Sequence, residues 1–180
     1  MIITISGTPG SGKSTVAKIL AKNLGYEYVS IGRILRDKAL ERGVELIEMQ
    51  HLAEQDPSLD KETDDYQKEL AQSGKNLVVE GRTGFHFIPE SFKVLIDADI
   101  KERAKRILQD ARAVEKVHNP EEAIKEIQER QVSNETRYKK YYGFDYRDKK
   151  HYNLVIDSTS IDQEAVGGKI LEVLKSKNFI

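Results

Sequence analysis

The sequence predicts a three-layer α/β domain built on a five-stranded parallel sheet, and three observations carry that prediction. Short apolar runs alternate with longer stretches of helical spacing along the 180 residues. Several runs, such as Leu77-Val78-Val79 and Val94-Leu95-Ile96, are continuous rather than alternating, as expected when helices cover both faces of a sheet. The first run opens directly into a glycine-rich turn, Gly7-Thr8-Pro9-Gly10-Ser11-Gly12-Lys13-Ser14-Thr15, which is followed by a helical segment.

The elements follow in order. Strands are expected at Ile2 to Ser6, Glu27 to Ser30, Asn76 to Glu80, Phe92 to Asp97 and Tyr152 to Asp157. A helix begins near Lys13 and stops at Gly25. Leu59, Thr63, Tyr66 and Leu70 step by four, three and four, as do Ile100, Ala104, Ile107 and Ala111, so both segments read as helices. Gly74 marks the end of the first, and Asp99 the start of the second. Asn119-Pro120 opens one long polar helix reaching Tyr142. There is no internal repeat and no low-complexity tract, and one domain spanning 1–180 accounts for the length.

Composition limits the classes of function. With 29 basic and 30 acidic side chains the net charge is −1, so no global bias toward nucleic acid or an anionic membrane exists and any positive field must be local. The absence of cysteine removes disulfides, cysteine-ligated zinc and thiol nucleophiles. No apolar run approaches the roughly 20 residues that span a bilayer, and the chain enters a strand without a signal peptide, so a cytoplasmic protein, a monomer, is expected. The four histidines, His51, His86, His118 and His151, lack metal-ligand spacing.

The glycine-rich turn fits the phosphate-binding pattern of glycine, four residues, glycine, lysine and serine. Its backbone N–H groups can curl around an anion, and the helix that follows adds its positive end. Lys13 would reach the outer phosphates and the Ser14 hydroxyl would bind the magnesium that accompanies them. In a parallel sheet ligands bind beyond the carboxyl ends of the strands, which brings Glu80-Gly81-Arg82-Thr83-Gly84 to the same edge. Glu80 is the expected magnesium-side acid, favoured over Asp97 and Asp157 because Arg82 and glycines accompany it. Arg36, or Arg33 beside it, lies one turn into a helix at the next strand end and could fork onto an acceptor phosphate. Arg130, Asn134 and Arg137 share one face of the long helix. Arg103, Arg106 and Arg112 surround a polar stretch at about 109–120 that reads as a short lid. Several arginines around a phosphate loop imply phosphoryl transfer between two phosphate-bearing ligands, with water kept out.

The blocks GTPGSGKSTVAKILAKNLG, YVSIGRILRDKALERG, DPSLDKETDDYQKELA, VVEGRTG and ERQVSNETRYKKYYGFD resemble, in order and with short spacers, those of the cytidylate kinases of compact archaeal type. The resemblance covers most of the chain and implies a phosphate-loop kinase fold with a helical acceptor region at about 31–75. It implies transfer of the γ-phosphoryl group of ATP to CMP or dCMP with Mg²⁺. It implies donor contacts from Gly7, Pro9, Gly10, Ser11, Gly12, Lys13, Ser14 and Thr15, metal contacts from Ser14 and Glu80, and acceptor contacts from Ser30, Arg36, Gly81, Arg82 and Thr83. Arg130 and Arg137 match the family's late phosphate-binding arginines, and Arg112 its lid residue. Val155 to Thr159 resembles the turn where the family holds the donor adenine. Asp60, Asp64 and Gln67 lie on one helical face and are candidates to bond ribose or cytosine. Asn134 stands where the family has an acid, and Thr83 where bacterial members have aspartate, whose larger acceptor-binding insertion is also absent. Adenylate or shikimate kinase, a nucleotide-operated switch and an RNA-acting module are the alternatives. The switch lacks the Asn-Lys-x-Asp guanine-reading motif, and the near-zero net charge gives the RNA module no support.

Overall fold

Five strands in the order β2-β3-β1-β4-β5, all parallel, form the central sheet: β1 (Ile2–Gly7), β2 (Glu27–Ser30), β3 (Leu77–Glu80), β4 (Phe92–Asp97) and β5 (Leu154–Asp157). The computed structural model describes residues 1–110 and 117–180. The helices are α1 (Lys13–Leu24), α2 (Ile31–Glu41), α3 (Leu46–Ala53), α4 (Ser58–Gln72), the single turn α5 (Gly84–Phe87), α6 (Ile100–Leu108), α7 (Pro120–Tyr142) and α8 (Gln163–Ser176). The architecture is the expected three-layer one, and each expected strand is present.

The sheet is covered on both faces, which is why its strands are continuously apolar. One face packs Ile3, Ile5, Val94 and Ile96 against Val16, Ala17 and Leu20 of α1 and Val166, Ile170 and Leu174 of α8. Toward the β2 edge a second cluster joins Val29, Leu77 and Val79 to Leu70 of α4 and Ile31 of α2. The start and stop signals operate as expected. The side chains of Asp99 and Asn119 accept from Lys101 N and Glu122 N, and Gly25 closes α1 in the left-handed conformation.

Helix α4 differs from the expected face. Its buried side chains are Asp60, Thr63, Asp64, Gln67 and Leu70, while Tyr66 is exposed. The helix leans over the cleft rather than the sheet, so most of its inward stripe is polar. Register brings the carboxyl ends together: Ser30 and Ile5 both lie opposite Glu80, and Gly7 lies opposite Ile96.

Candidate active site

One cleft of about 1050 Å³ opens beyond those strand ends, walled by the glycine-rich loop, α2, α4, the turn after β3 and α7. Gly10 and Gly12 turn the loop with φ of 78° and 83°, values that favour glycine. Gly7 is required for a different reason: a Cβ there would stand 2.3 Å from the Ile96 carbonyl oxygen. Lys13 and Ser14 then open α1 facing the cleft.

Lys13 Nζ lies 3.7 Å from Glu80 Oε1, and the two side chains are 13% and 4% exposed. Burial pushes Lys13 down to about 8, with Glu80 opposing and Arg82, Arg130 and Arg36 adding repulsion. Burial alone would raise Glu80. Lys13, hydrogen bonds from Ser30 and Ser14, and Arg82 outweigh it, so the carboxyl sits below its ordinary value and stays ionised. Ser30 Oγ donates to Glu80 Oε2 at 2.6 Å and also caps α2 through Arg33 N. The rival acids are engaged elsewhere: Asp97 accepts from Thr8 Oγ1 at 2.6 Å, and Asp157 from Thr159.

Arg36, Arg82 and Arg130 line the same cleft. Arg130 is pushed down to about 10, by burial first and then by the charges of Arg82 and Arg36, with Glu126 at 3.2 Å opposing. The Nε atoms of Arg82 and Arg130 are buried without a hydrogen-bond partner among the described residues. Such a cluster is tolerable where anions are to be bound.

Arg137 is absent from the cleft wall. It is 1% exposed and sits behind Asp60, with Nε 3.0 Å from Oδ2. Its Nη2 donates to Asn134 Oδ1 at 3.0 Å and to the Tyr138 hydroxyl at 3.2 Å. Asn134 thus orients an arginine by accepting from it, as an acid would. Asp60, Asp64 and Gln67 separate into three roles. Asp60 pairs with Arg137, and Asp64 faces the cleft while accepting from the Tyr142 hydroxyl at 2.5 Å. Gln67 is fully buried and braces Thr83, Nε2 to Oγ1 at 3.0 Å. Arg112 lies outside the described residues. Gly81 packs against Ile31, where a Cβ would meet side-chain carbons at 3.0 Å.

Two contributors carried little sequence signal. Arg106 donates to Ser158 O at 2.6 Å, Ser158 Oγ at 3.0 Å and Ser11 O at 3.4 Å, tying α6 and the β5–α8 turn to the phosphate loop. Apart from Glu102 one turn back, its partners lie 95 and 52 residues away in the chain, so spacing alone could only group it with the neighbouring arginines. Tyr142 was visible only as the end of the long polar helix.

Cations that repel one another around a glycine-rich loop, beside a carboxylate held ionised next to the loop's lysine and serine, suit a polyphosphate and its metal. On this fold they define a kinase of the phosphate-loop class. Within that class the chain belongs to the cytidylate kinase-like family, whose model matches residues 2–160. Curated relatives include the cytidylate kinase of Methanosarcina mazei, 41% identical over 91% of this chain and 90% of that protein. The cytidylate kinase of Methanocella arvoryzae is 40% identical over 97% of each chain. Among solved structures, a protein from Eubacterium ventriosum matches with a TM-score of 0.75 at 19% identity, over 98% of this chain and 99% of that one. Shikimate kinase from Bacteroides thetaiotaomicron matches with 0.66 at 13%, over 97% and 98%. At those identities the structural matches speak for the fold.

Proposed function

We infer that the chain transfers the γ-phosphoryl group of ATP to CMP or dCMP, giving ADP and CDP or dCDP. The observation that carries the phosphoryl-transfer reading is the convergence of Lys13, Arg36, Arg82 and Arg130 on one cleft, with Glu80 the ionised acid beside Lys13. That is charge for a donor and an acceptor phosphate held together. The cytidylate kinase relatives supply the acceptor's identity.

In this reading the loop from Gly7 to Thr15, with Pro9 and Ser11 shaping it, holds the ATP phosphates, and the turn at Ser158 tethered by Arg106 receives the donor base. Arg36 and Arg82 hold the acceptor phosphate, Arg130 spans both phosphates, and Ser30 acts through Glu80. Arg137 is a positioning residue acting through Asp60. Residues 31–75 form the acceptor region of a single domain, 109–120 the lid, with Arg112 as its arginine. The protein works as a cytoplasmic monomer on dissolved nucleotides; among the described residues no helix is long and apolar enough to cross a membrane.

The donor set suits magnesium. The Ser14 hydroxyl and the Glu80 carboxylate are hard oxygens joined by a hydrogen bond, and no cluster of three or more His, Asp or Glu able to hold a metal exists among the described residues. An ion of this kind arrives with the nucleotide, and when bound it neutralises the phosphates and orients them. An acceptor phosphate oxygen bonds to the γ-phosphorus as the bond from that phosphorus to the β–γ bridging oxygen breaks, and ADP leaves with the electron pair. The attacking oxygen is already anionic, so no side chain need remove a proton.

The test is ADP release with ATP and magnesium against CMP, dCMP, UMP, AMP, GMP and shikimate. CMP or dCMP is expected to give the highest kcat/KM, and Lys13→Ala to lower kcat by about 100-fold or more with the fold retained. A better rate with AMP would reject the acceptor, and full activity in Lys13→Ala would reject the site.

A further inference from the structure

Asp64 and Thr83 both line the cleft, are 7% and 5% exposed, and reach it from different elements, α4 and the turn after β3. Their hydrogen-bond polarity is set from behind. The Tyr142 hydroxyl donates to Asp64 Oδ2 at 2.5 Å, and burial raises that phenol, which therefore stays a donor. Among the described residues no donor meets Oδ1, which is left as an acceptor. Gln67 points its amide nitrogen at the Thr63 carbonyl, 3.2 Å away, a group that only accepts. The same nitrogen donates to Thr83 Oγ1 at 3.0 Å, so the Thr83 proton is available to the cleft. The alternative contact, Thr83 to Gln67 Oε1, is longer at 3.3 Å.

We propose that this acceptor–donor pair reads the base of the acceptor nucleotide: Asp64 accepts from the exocyclic amino group of cytosine, and Thr83 donates to an adjoining cytosine acceptor. The inference rests on the acceptor reading above and deepens it. Uracil presents a carbonyl where cytosine presents the amino group, and meets an anion there. Adenine shares the amino-beside-acceptor edge, so the pair separates cytosine from uracil and AMP is the control that it does not itself reject.

The arrangement makes the choice dependent on pH. Asp64 is faced by Asp60, Asp65 and Lys68 of its own helix and by Tyr142 of α7, whose ring stacks on that of Tyr138. From α5, His86 has its ring 6.0 Å from that of Tyr142. Lys68 is held by Asp65 at 2.7 Å and Asp60 by Arg137, so among the described residues no salt bridge reaches Asp64, and Lys68 acts on it only through its charge. Burial raises its carboxyl to about 6, against the Tyr142 bond. Once protonated, Asp64 donates to the uracil carbonyl, and Thr83 Oγ1 accepts from the uracil N3–H by turning its own proton to Gln67 Oε1, 3.3 Å away.

The test is kcat/KM for CMP, UMP and AMP from about pH 5 to about pH 8. The CMP-to-UMP ratio cancels the titration of the nucleotide phosphate, which the two share. The ratio is expected to fall by about tenfold or more as the pH drops through the Asp64 transition. Tyr142→Phe removes a donor that favours the carboxylate and should move that transition to higher pH. Asp64→Asn should leave a low, pH-independent ratio, with the loss on CMP carried mainly by KM, and Thr83→Val should raise KM for CMP. If no pyrimidine is phosphorylated at any pH, the acceptor reading itself fails. If CMP is turned over but Asp64→Asn and Thr83→Val keep the full preference, only the base-reading proposal is overturned. It is equally overturned if His86→Gln, rather than Asp64→Asn, abolishes the pH dependence.

Discussion

Asp64 carries its charge at a cost. Its carboxyl is held at about 6 against 3.8 when unperturbed, chiefly by burial, with the Tyr142 hydrogen bond opposing and the Asp60 charge adding. A folded-state value above the unfolded one means that the native chain binds the proton more tightly. The stability this group contributes is fully present below pH 3.8 and is lost as the pH rises through about 6. Asp64→Asn is therefore expected to be more stable than the parent at neutral pH, by on the order of 1–2 kcal/mol, and to lose the decline over that window. Thermal unfolding as a function of pH measures both. Glu80 is buried too, yet Lys13, Ser30 and Ser14 keep it ionised. Two carboxylates lining the same cleft thus have opposite protonation tendencies because their partners differ.

Helices α4 and α7 are joined by the Arg137–Asp60 pair, buried at both ends. Removing one partner of such a pair strands the other's charge, so Arg137→Met should cost about 3–5 kcal/mol in urea unfolding, and the double variant with Asp60→Leu should recover much of it. This junction marks the limit of what could be read from the chain. Strand ends, loop glycines and helix caps were legible because each is dictated within a few residues: Gly25 ends α1 where expected, and Asn119 caps α7 through its own neighbour Glu122. The face of α4 was not, because Leu59 and Tyr66 mark helical periodicity without telling which side meets a polar cleft. Nor was Arg137's role. The i, i+4, i+7 arithmetic puts it on one stripe with Arg130, but Asp60, 77 positions earlier in the chain, draws it behind the wall. Glu80 was legible because a buried strand delivers its last residue to the sheet edge whatever the surroundings.

At the scale of the whole molecule, a chain of net charge −1 concentrates positive charge in one place. Arg130 is buried among like charges, with Glu126 the one acid paired to it among the described residues, so its charge is held at a cost to stability. Arg130→Met is expected to raise the melting temperature of the free protein by a few degrees while lowering kcat/KM for the acceptor by about 100-fold or more, a trade between stability and activity. Differential scanning calorimetry with and without ATP and CMP tests it: the parent should gain more from the nucleotides than the variant does. Helix α7 has a further consequence of a metric kind. It is a single rod of 23 residues, with Arg130 in the cleft wall and Tyr142, twelve residues on, donating to Asp64. At helical rise the two are separated by roughly 18 Å along the axis. Because one helix carries both groups, a tilt of α7 moves the Arg130 guanidinium and the Tyr142 hydroxyl as the two arms of one lever, never one alone.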